Sequence, residues 1–346
     1  MEVSVIIPTR ERIHFLQKCI DCLQLQTKKP EEIVIIIHED DEETNKFIKN
    51  LNTNLFIRYF KTDGGSCKGR NLGIEKSKGD ILVFIEDDVI LEKTYIEKLN
   101  NIFKKEYIDV LAGYTFDIVD LTSPLLIRKG EFDYIKENKE NKFFKLIIDE
   151  ISRTSSDDLL NNNKKLLLYT LSKFLRDFLK IIIIQEGIKK GKILASGYRS
   201  QMPDINEFNG LIKVEWVNGG NFAIKKDIIL KYKFNENMET LPYVLGEDLE
   251  LSARIGKEHE IYLSSDLKLL HLRSPLGVKI NQRQRFMSMV TNFYRIANLR
   301  GNKFAYWWSV IGLTISRIVL LPFSFKTAVS ELKGIKDGIV ELRNIK

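Results

Sequence analysis

The first 115 residues alternate between short, nearly continuous β-branched runs and longer stretches with helical spacing. The apolar runs are Val3–Ile7, Ile33–Ile37, Leu55–Phe60, Ile81–Ile85 and Val110–Tyr114. Helical patterns lie between them, around Phe15–Gln26, Glu42–Asn52, Cys67–Ser77 and Lys93–Lys104. Strands apolar on both faces belong in a mostly parallel sheet flanked by helices, an α/β arrangement. Such sheets bind ligands beyond the carboxyl ends of their strands. The segments following the runs are Pro8-Thr9-Arg10-Glu11-Arg12, His38-Glu39-Asp40-Asp41, KTDGGSCKGRN and Glu86-Asp87-Asp88. Acidic, glycine and basic residues therefore gather at one edge.

Residues 1–120 read as one half of the body and 121–200 as a mainly helical insertion. The insertion holds the charged stretch KENKENK, a loop at Asn161-Asn162-Asn163 and an apolar-rich segment from Leu166 to Ile184. Lys173, Arg176, Asp177 and Lys180 share one helical face of that segment. Ile181–Ile184 fits a strand equally well. Over 201–275 the compact pattern returns, with a strand into WVNGGNFAIKKD, a loop, LGEDLELSARI and two short strands ending at LLHLRSP. Residues 276–346 form a basic, aromatic region with helical spacing.

Apolar residues make up 44% and charged residues 29% of the 346, which excludes a disordered tail, a collagen and a polytopic membrane protein. Three cysteines make no disulfide framework, and Cys19 and Cys22 read as small core residues in mid-helix. Met1 leads straight into VSVIIP without a leader pattern, so the expected compartment is the cytoplasm. The net charge of +7 is local: residues 276–346 hold 12 basic and 3 acidic residues, against 42 and 44 elsewhere. A basic, aromatic tail on a near-neutral body points to the anionic cytoplasmic face of a membrane and away from nucleic acid.

Within that tail, Phe304 to Phe325 is largely apolar, with Arg317 near its middle opposing a span. On a helix, Asn302, Ala305, Ser309, Gly312 and Ser316 form a small, polar strip opposite Trp307, Trp308, Ile311 and Ile315. That pattern suits a helix lying in the membrane interface, with packing on the body and spanning as rival readings.

Glu86-Asp87-Asp88 follows a buried run, where adjacent carboxylates repel one another. Mg2+ or Mn2+ relieves that repulsion through oxygen ligands; a solvated turn capping the next helix is the plainer reading. Gly64 and Gly65 with Lys68 and Arg70 make either a phosphate cradle at a helix start or a tight turn with solvated cations. Asp248, in Gly246-Glu247-Asp248, is an N-cap or a catalytic base. Glu250 and Arg254 behind it read as a surface pair. His271, ending an apolar strand, is structural or a ligand.

In this order, VSVIIPTRER, GGSCKGRNLGIEKSKGDILVFIEDDV, WVNGGNFAIKKD, GEDLELSARI and HLRSP resemble the family 2 glycosyltransferases of the GT-A fold. The resemblance covers Val3 to Ser274 apart from the insertion. It implies that Pro8, Thr9 and Glu11 line the nucleotide pocket and that Glu39 or Asp40 grips the base. Asp63, Lys68 and Arg70 then lie along the nucleotide and its diphosphate. Asp87 approaches the ribose or donor sugar, and Asp88 binds the metal, Mg2+ or Mn2+. Asn218, Gly219, Gly220, Asn221 and Glu247 shape the donor-sugar and acceptor cleft, Asp248 is the base, and His271 is a further metal or diphosphate ligand. The implied reaction is a metal-dependent, inverting transfer from a nucleoside-diphosphate sugar to a glycan or lipid-linked acceptor at the membrane surface. An oligomer is compatible with it. The rivals are a sugar-phosphate nucleotidylyltransferase, whose glycine-rich N-terminal signature is missing, and a non-catalytic nucleotide-sugar-binding membrane scaffold, against which Asp88 and Asp248 argue.

Overall fold

The computed structural model describes residues 1–117, 134–135, 137–149, 189–239, 244–272, 281–322 and 324–344. The face with Lys173 and Arg176, and the Ile181–Ile184 run, lie outside these residues.

The N-terminal half follows the predicted alternation: β1 (Val3–Thr9), α1 (Ile13–Gln24), β2 (Glu32–His38), α2 (Glu42–Lys49), β3 (Ile57–Thr62), α3 (Ser66–Lys76), β4 (Ile81–Ile85), β5 (Val89–Leu91), α4 (Tyr95–Lys105) and β6 (Val110–Asp117). Helix α1 buries Leu16, Cys19, Ile20 and Leu23, the stripe that its spacing predicts. Asp41 caps α2 by accepting the Thr44 N–H at 3.0 Å, with acids in the first turn and lysines in the last. The second half adds β7 (Leu211–Val214), β8 (Asn221–Lys225), α5 (Lys226–Tyr232), α6 (Glu247–Ile255) and β9 (Ile261–His271). The two short strands expected before His271 are one: β9 runs through, with a register shift against β6 between Gly113 and Tyr114.

These strands form one sheet in the order β3-β2-β1-β4-β8-β6-β9-β5, with β7 paired to β9. The first four strands run parallel; β8 is antiparallel to both β4 and β6, so the sheet is mixed. Helices cover both faces, over two apolar layers. Because β1 has β2 on one side and β4 on the other, the carboxyl ends of β1 and β4 open side by side.

The described residues of the tail form three helices, α7 (Gln282–Leu299), α8 (Lys303–Val319) and α9 (Phe325–Glu341), around Phe286, Val290, Tyr306, Val310 and Ile335. Helices α7 and α9 approach closely at Gly334, where a Cβ would lie 2.2 Å from the Arg283 carbonyl oxygen. Ser309, Gly312 and Ser316 are buried against this unit, whereas Phe304, Trp308, Ile311, Ile315 and Ile318 are exposed. The predicted strip thus lies on the packing face beside Tyr306, Val310 and Leu313, and Phe304, Trp308, Ile311, Ile315 and Ile318 face outward. Ile296 of α7 joins the tail to the body through a cluster with Ile193, Trp216, Leu249 and Ala253.

Candidate active site

Strand β4 ends at Glu86-Asp87-Asp88, and β5, which follows directly, pairs with β9 so that Val89 lies opposite His271. That pairing brings the imidazole Nε2 to 3.2 Å from Glu86 and 3.3 Å from Asp88, with Nδ1 3.4 Å from Asp117. Glu86, Asp88 and His271 each offer one ligand atom, all within 4.8 Å of one another. Burial alone would lower the His271 pKa, but hydrogen bonds to Asp117, Asp88 and Glu86 outweigh it and push it up to about 12. Burial raises the pKa of Glu86, but the hydrogen bond and charge of His271, together with Arg70, leave it below its ordinary value. Asp87 faces the other way: Thr9 donates to it at 2.6 Å and Arg12 at 3.0 Å. Burial nonetheless pushes Asp87 up to about 6.

Arg70, one turn into α3, is buried and crosses the site. Its guanidinium donates to Glu247 at 2.9 Å and lies 3.8 Å from Glu86, over the ring of Phe234. Burial, then the neighbouring Asp248, pushes the Glu247 carboxyl up to about 7. Asp248 is the second residue of α6; the N-cap is Gly246, whose φ of 81° is left-handed. Asp248 instead accepts the Gly219 N–H at 3.0 Å. A Cβ at Gly219 would touch Asp248 and Arg70, and one at Gly220 would lie 2.9 Å from Glu86. The acids after β4 and those heading α6 therefore flank one glycine peptide.

The nucleotide side opens beyond β1 and β2. A cleft of about 510 Å³ is lined by Glu11, Arg12, His14, Phe15 and Asp40 to Glu43. Glu11 is held at a φ of 56° by its N–H bond to Asp41. Asp40 lines the cleft, 3.7 Å from Arg10. Glu39, whose N–H donates to the Thr62 carbonyl, is exposed and does not line it. Pro8 is half-buried on β1. Asp63 and Lys68 form an exposed pair at 4.0 Å.

Three placements differ from expectation. Asn221 is fully buried behind the cleft, its amide held by Tyr95 and Thr115, while Asn218 accepts the Gly220 N–H in the turn. The Glu250–Arg254 pair is not on the surface: Glu250 is 3% exposed and the guanidinium also reaches the carbonyls of Tyr232 and Lys233. The N–H groups at the start of α3, on Gly65, Cys67 and Lys68, donate to the carboxylate of Glu239. Sequence reading did not single out Glu239, Arg12, Asp117 or Arg199, the last 4.0 Å from Asp248. Arg12 alone had a local signal, its place directly before α1.

Residues 4–153 match the family model described as glycosyl transferase family 2. Glycosyltransferase AglE of Haloferax volcanii is 29% identical over 116 residues, 32% of this chain and 38% of its own length. The chain spans between 16% and 60% of the length of the curated relatives that it matches. Among solved structures, S. aureus TarS 1–349 in complex with UDP-GlcNAc aligns over 100% of this chain and 93% of its own, with TM-score 0.51 and 10% identity. GalNAc-T7 with UDP, GalNAc and Mn2+ aligns over 99% and 57%, with TM-score 0.56 and 14% identity. At such identities the likeness is one of fold. Residues 4–153 are thus similar to glycosyl transferase family 2, and the chain shares the GT-A architecture of these solved glycosyltransferases.

Proposed function

We propose that the chain is a metal-dependent, inverting glycosyltransferase that moves a sugar from a nucleoside-diphosphate sugar to a glycan or lipid-linked acceptor. The observation that carries this reading is the shared cleft: Glu86, Asp88 and His271 on one side of Gly219-Gly220 and Asp248 on the other. The two carboxylates suit Mg2+ or Mn2+, and His271, on giving up the Nε2 proton that faces Glu86 and Asp88, would offer an imidazole nitrogen that favours Mn2+ over the harder Mg2+. Asp88 and His271, with Glu86, would hold the cation, whose positive charge would stabilise the leaving diphosphate. Arg70 holds Glu247 and Glu86 in place across the site. Asp87, fixed by Thr9 and Arg12, is aimed at the ribose or donor sugar. The nucleobase enters the cleft of Glu11 and Asp40, with Asp63 and Lys68 at its outer edge.

Asp248 takes the proton of the acceptor hydroxyl as that oxygen attacks the anomeric carbon. The bond to the diphosphate oxygen breaks in the same displacement, so the anomeric centre inverts. GalNAc-T7 and TarS carry uridine nucleotides in their structures, which makes UDP-sugars the first donors to try. A thermal-shift panel of UDP- and GDP-sugars, with and without Mn2+, followed by donor hydrolysis for each hit, is the direct test. Metal-dependent donor binding is expected, and Asp248→Asn should abolish transfer while sparing donor binding. An active Asp248→Asn enzyme would remove the base from the mechanism.

The reaction belongs, in this reading, at an anionic membrane surface. Among the described residues no helix is long and apolar enough to cross a membrane. The exposed face of α8, from Phe304 through Trp308 and Ile311 to Ile318, suits shallow insertion. From residue 267 to 330 the chain has ten basic residues and no acidic one. Trp308→Ser with Ile311→Ser should weaken flotation with anionic vesicles and leave the melting temperature unchanged. Equal flotation of the double variant, or equal binding to zwitterionic vesicles, would exclude this surface.

A further inference from the structure

Arg199 has no part in the mechanism above, yet its guanidinium stands beside the proposed base. We propose that it binds an anionic group, a phosphate ester, on the acceptor, next to the hydroxyl that Asp248 deprotonates. This rests on the glycosyltransferase reading and specifies its acceptor.

The backbone around Arg199 is fixed. Residues 193–199 form a tight hairpin, with Ile193 bridged to Arg199 and the Leu194 N–H donating to the Tyr198 carbonyl at 2.7 Å. Its tip, Gly197, has a φ of 84° and lies against α7, where a Cβ would be 2.2 Å from the Phe293 carbonyl oxygen. Tyr198 packs edge-on against the Phe293 ring at 4.3 Å.

The side chain is then laid over the buried indole of Trp216, 4.3 Å from its centroid. Stacking fixes the plane of the guanidinium and leaves its N–H edge open, and the side chain is 51% exposed. Its distance to Asp248 is 4.0 Å, too long for a hydrogen bond. Arg254 shows what a committed pair looks like in this chain, gripping Glu250 through contacts of 2.8 to 3.0 Å. Asp248 is meanwhile engaged by backbone N–H groups of Gly219 and Leu249. The nearby Glu215 is taken by Lys192 at 3.3 Å and Arg300 at 3.1 Å.

A cation beside a general base opposes the proton that the base must accept, unless the substrate brings a compensating negative charge. A planar, half-exposed guanidinium is suited to a phosphate oxygen pair. Arg300 also donates to the carbonyl of Ile193, the bridge partner of Arg199, and α8 begins three residues later. The hairpin that carries Arg199 is therefore tied to the turn from which α8 starts. A phosphate between a sugar and a lipid meets both requirements; a soluble sugar phosphate or phosphate polymer meets the first.

Isothermal titration of the chain, loaded with Mn2+ and whichever nucleoside diphosphate the thermal-shift panel selects, separates these cases. Glycerol 1-phosphate should bind saturably and glycerol should not. Arg199→Met should weaken the phosphate at least tenfold and Arg199→Lys less, whereas Lys213→Met, an exposed lysine paired with Glu260, should have no effect. Dodecyl phosphate in zwitterionic micelles binding at least tenfold tighter than glycerol 1-phosphate identifies a lipid-linked acceptor; equal binding identifies a soluble one. Phosphate binding that is absent in the parent chain, unchanged in Arg199→Met, or equally weakened in Lys213→Met overturns the proposal. Failure of every nucleoside diphosphate to bind with Mn2+ would instead overturn the glycosyltransferase reading.

Discussion

Replacing Arg70 with glutamine removes the cation that, among the described residues, spans the cleft between Glu247 and Glu86. The residue is 3% exposed, and its contacts are 2.9 Å and 3.8 Å. At an effective dielectric of ~20 these attractions are worth roughly 6 and 4 kcal/mol before desolvation. Truncating one partner of a buried pair costs about 3–5 kcal/mol net. Unfolding entropy of about 2.1 cal/mol/K per residue gives ~0.7 kcal/mol/K for a chain of this length, so the melting temperature should fall by roughly 4–7 °C. The loss should depend on pH with a definite sign. Arg70 lowers the Glu247 pKa, which burial has pushed up to about 7, so without Arg70 it rises further. Unfolded glutamate titrates near ~4.3, so the folded variant binds the extra proton and is less stable as pH rises through this window. Scanning calorimetry at pH 5.5 and pH 8 should show the larger deficit at pH 8. Mn2+, by neutralising Glu86, should restore part of it. A deficit below ~1 kcal/mol, or an equal deficit at both pH values, would refute the assignment of Arg70 as a buried electrostatic tie.

Glu247 also makes the parent chain pH-sensitive: its carboxyl, raised to about 7, should cost stability as pH rises from about 4.5 through 7, by up to ~3 kcal/mol. Glu247→Gln should flatten that part of the melting-temperature profile, and a parallel profile would reject it. Asp88→Ala should weaken Mn2+ binding at least tenfold in a titration calorimeter, and unchanged binding would remove Asp88 from the ligand set. Gly197→Ala places a Cβ at a φ of 84° and against the Phe293 carbonyl, so about 2–4 kcal/mol should be lost. Hydrogen exchange should then rise first in the 193–199 hairpin; even loss across the sheet would contradict the close contact.

The first four strands and the loops after them were legible because each is a largely apolar run ended by polar residues, a local pattern; Arg58 within β3 is the exception. His271 was visible as a residue but not as a partner of Glu86 and Asp117. Its position depends on β9 pairing with β5 and β6, from which it is separated by more than 150 residues. Glu239 reaches the start of α3 from 172 residues away, and nothing near GGSCKGRN announces it. Asn218 and Asn221 look alike in sequence; only the turn between them sends Asn218 to the glycine peptide and Asn221 behind β6. The Glu250–Arg254 spacing defines a helical pair but says nothing of what covers it, and here the end of α5 does.

Charge alone made the tail look separable from the body, and its packing shows that it is not. Asn292 on α7 is fully buried and donates at 3.1 Å to the carbonyl of Leu245, the residue before Gly246. The ring of Phe293 sits where a Cβ on Gly246 would lie, 2.9 Å away. The left-handed glycine that starts α6, and through it the direction of Asp248, is therefore set by the helix that carries α8. Removing residues after 277 would strip the exposed apolar face and the support of the proposed base together, so loss of activity in such a truncation could not be credited to the membrane. Substitutions of the exposed Trp308 and Ile311 on α8 avoid this, whereas Trp307 lies against the Tyr294 ring of α7 and would not.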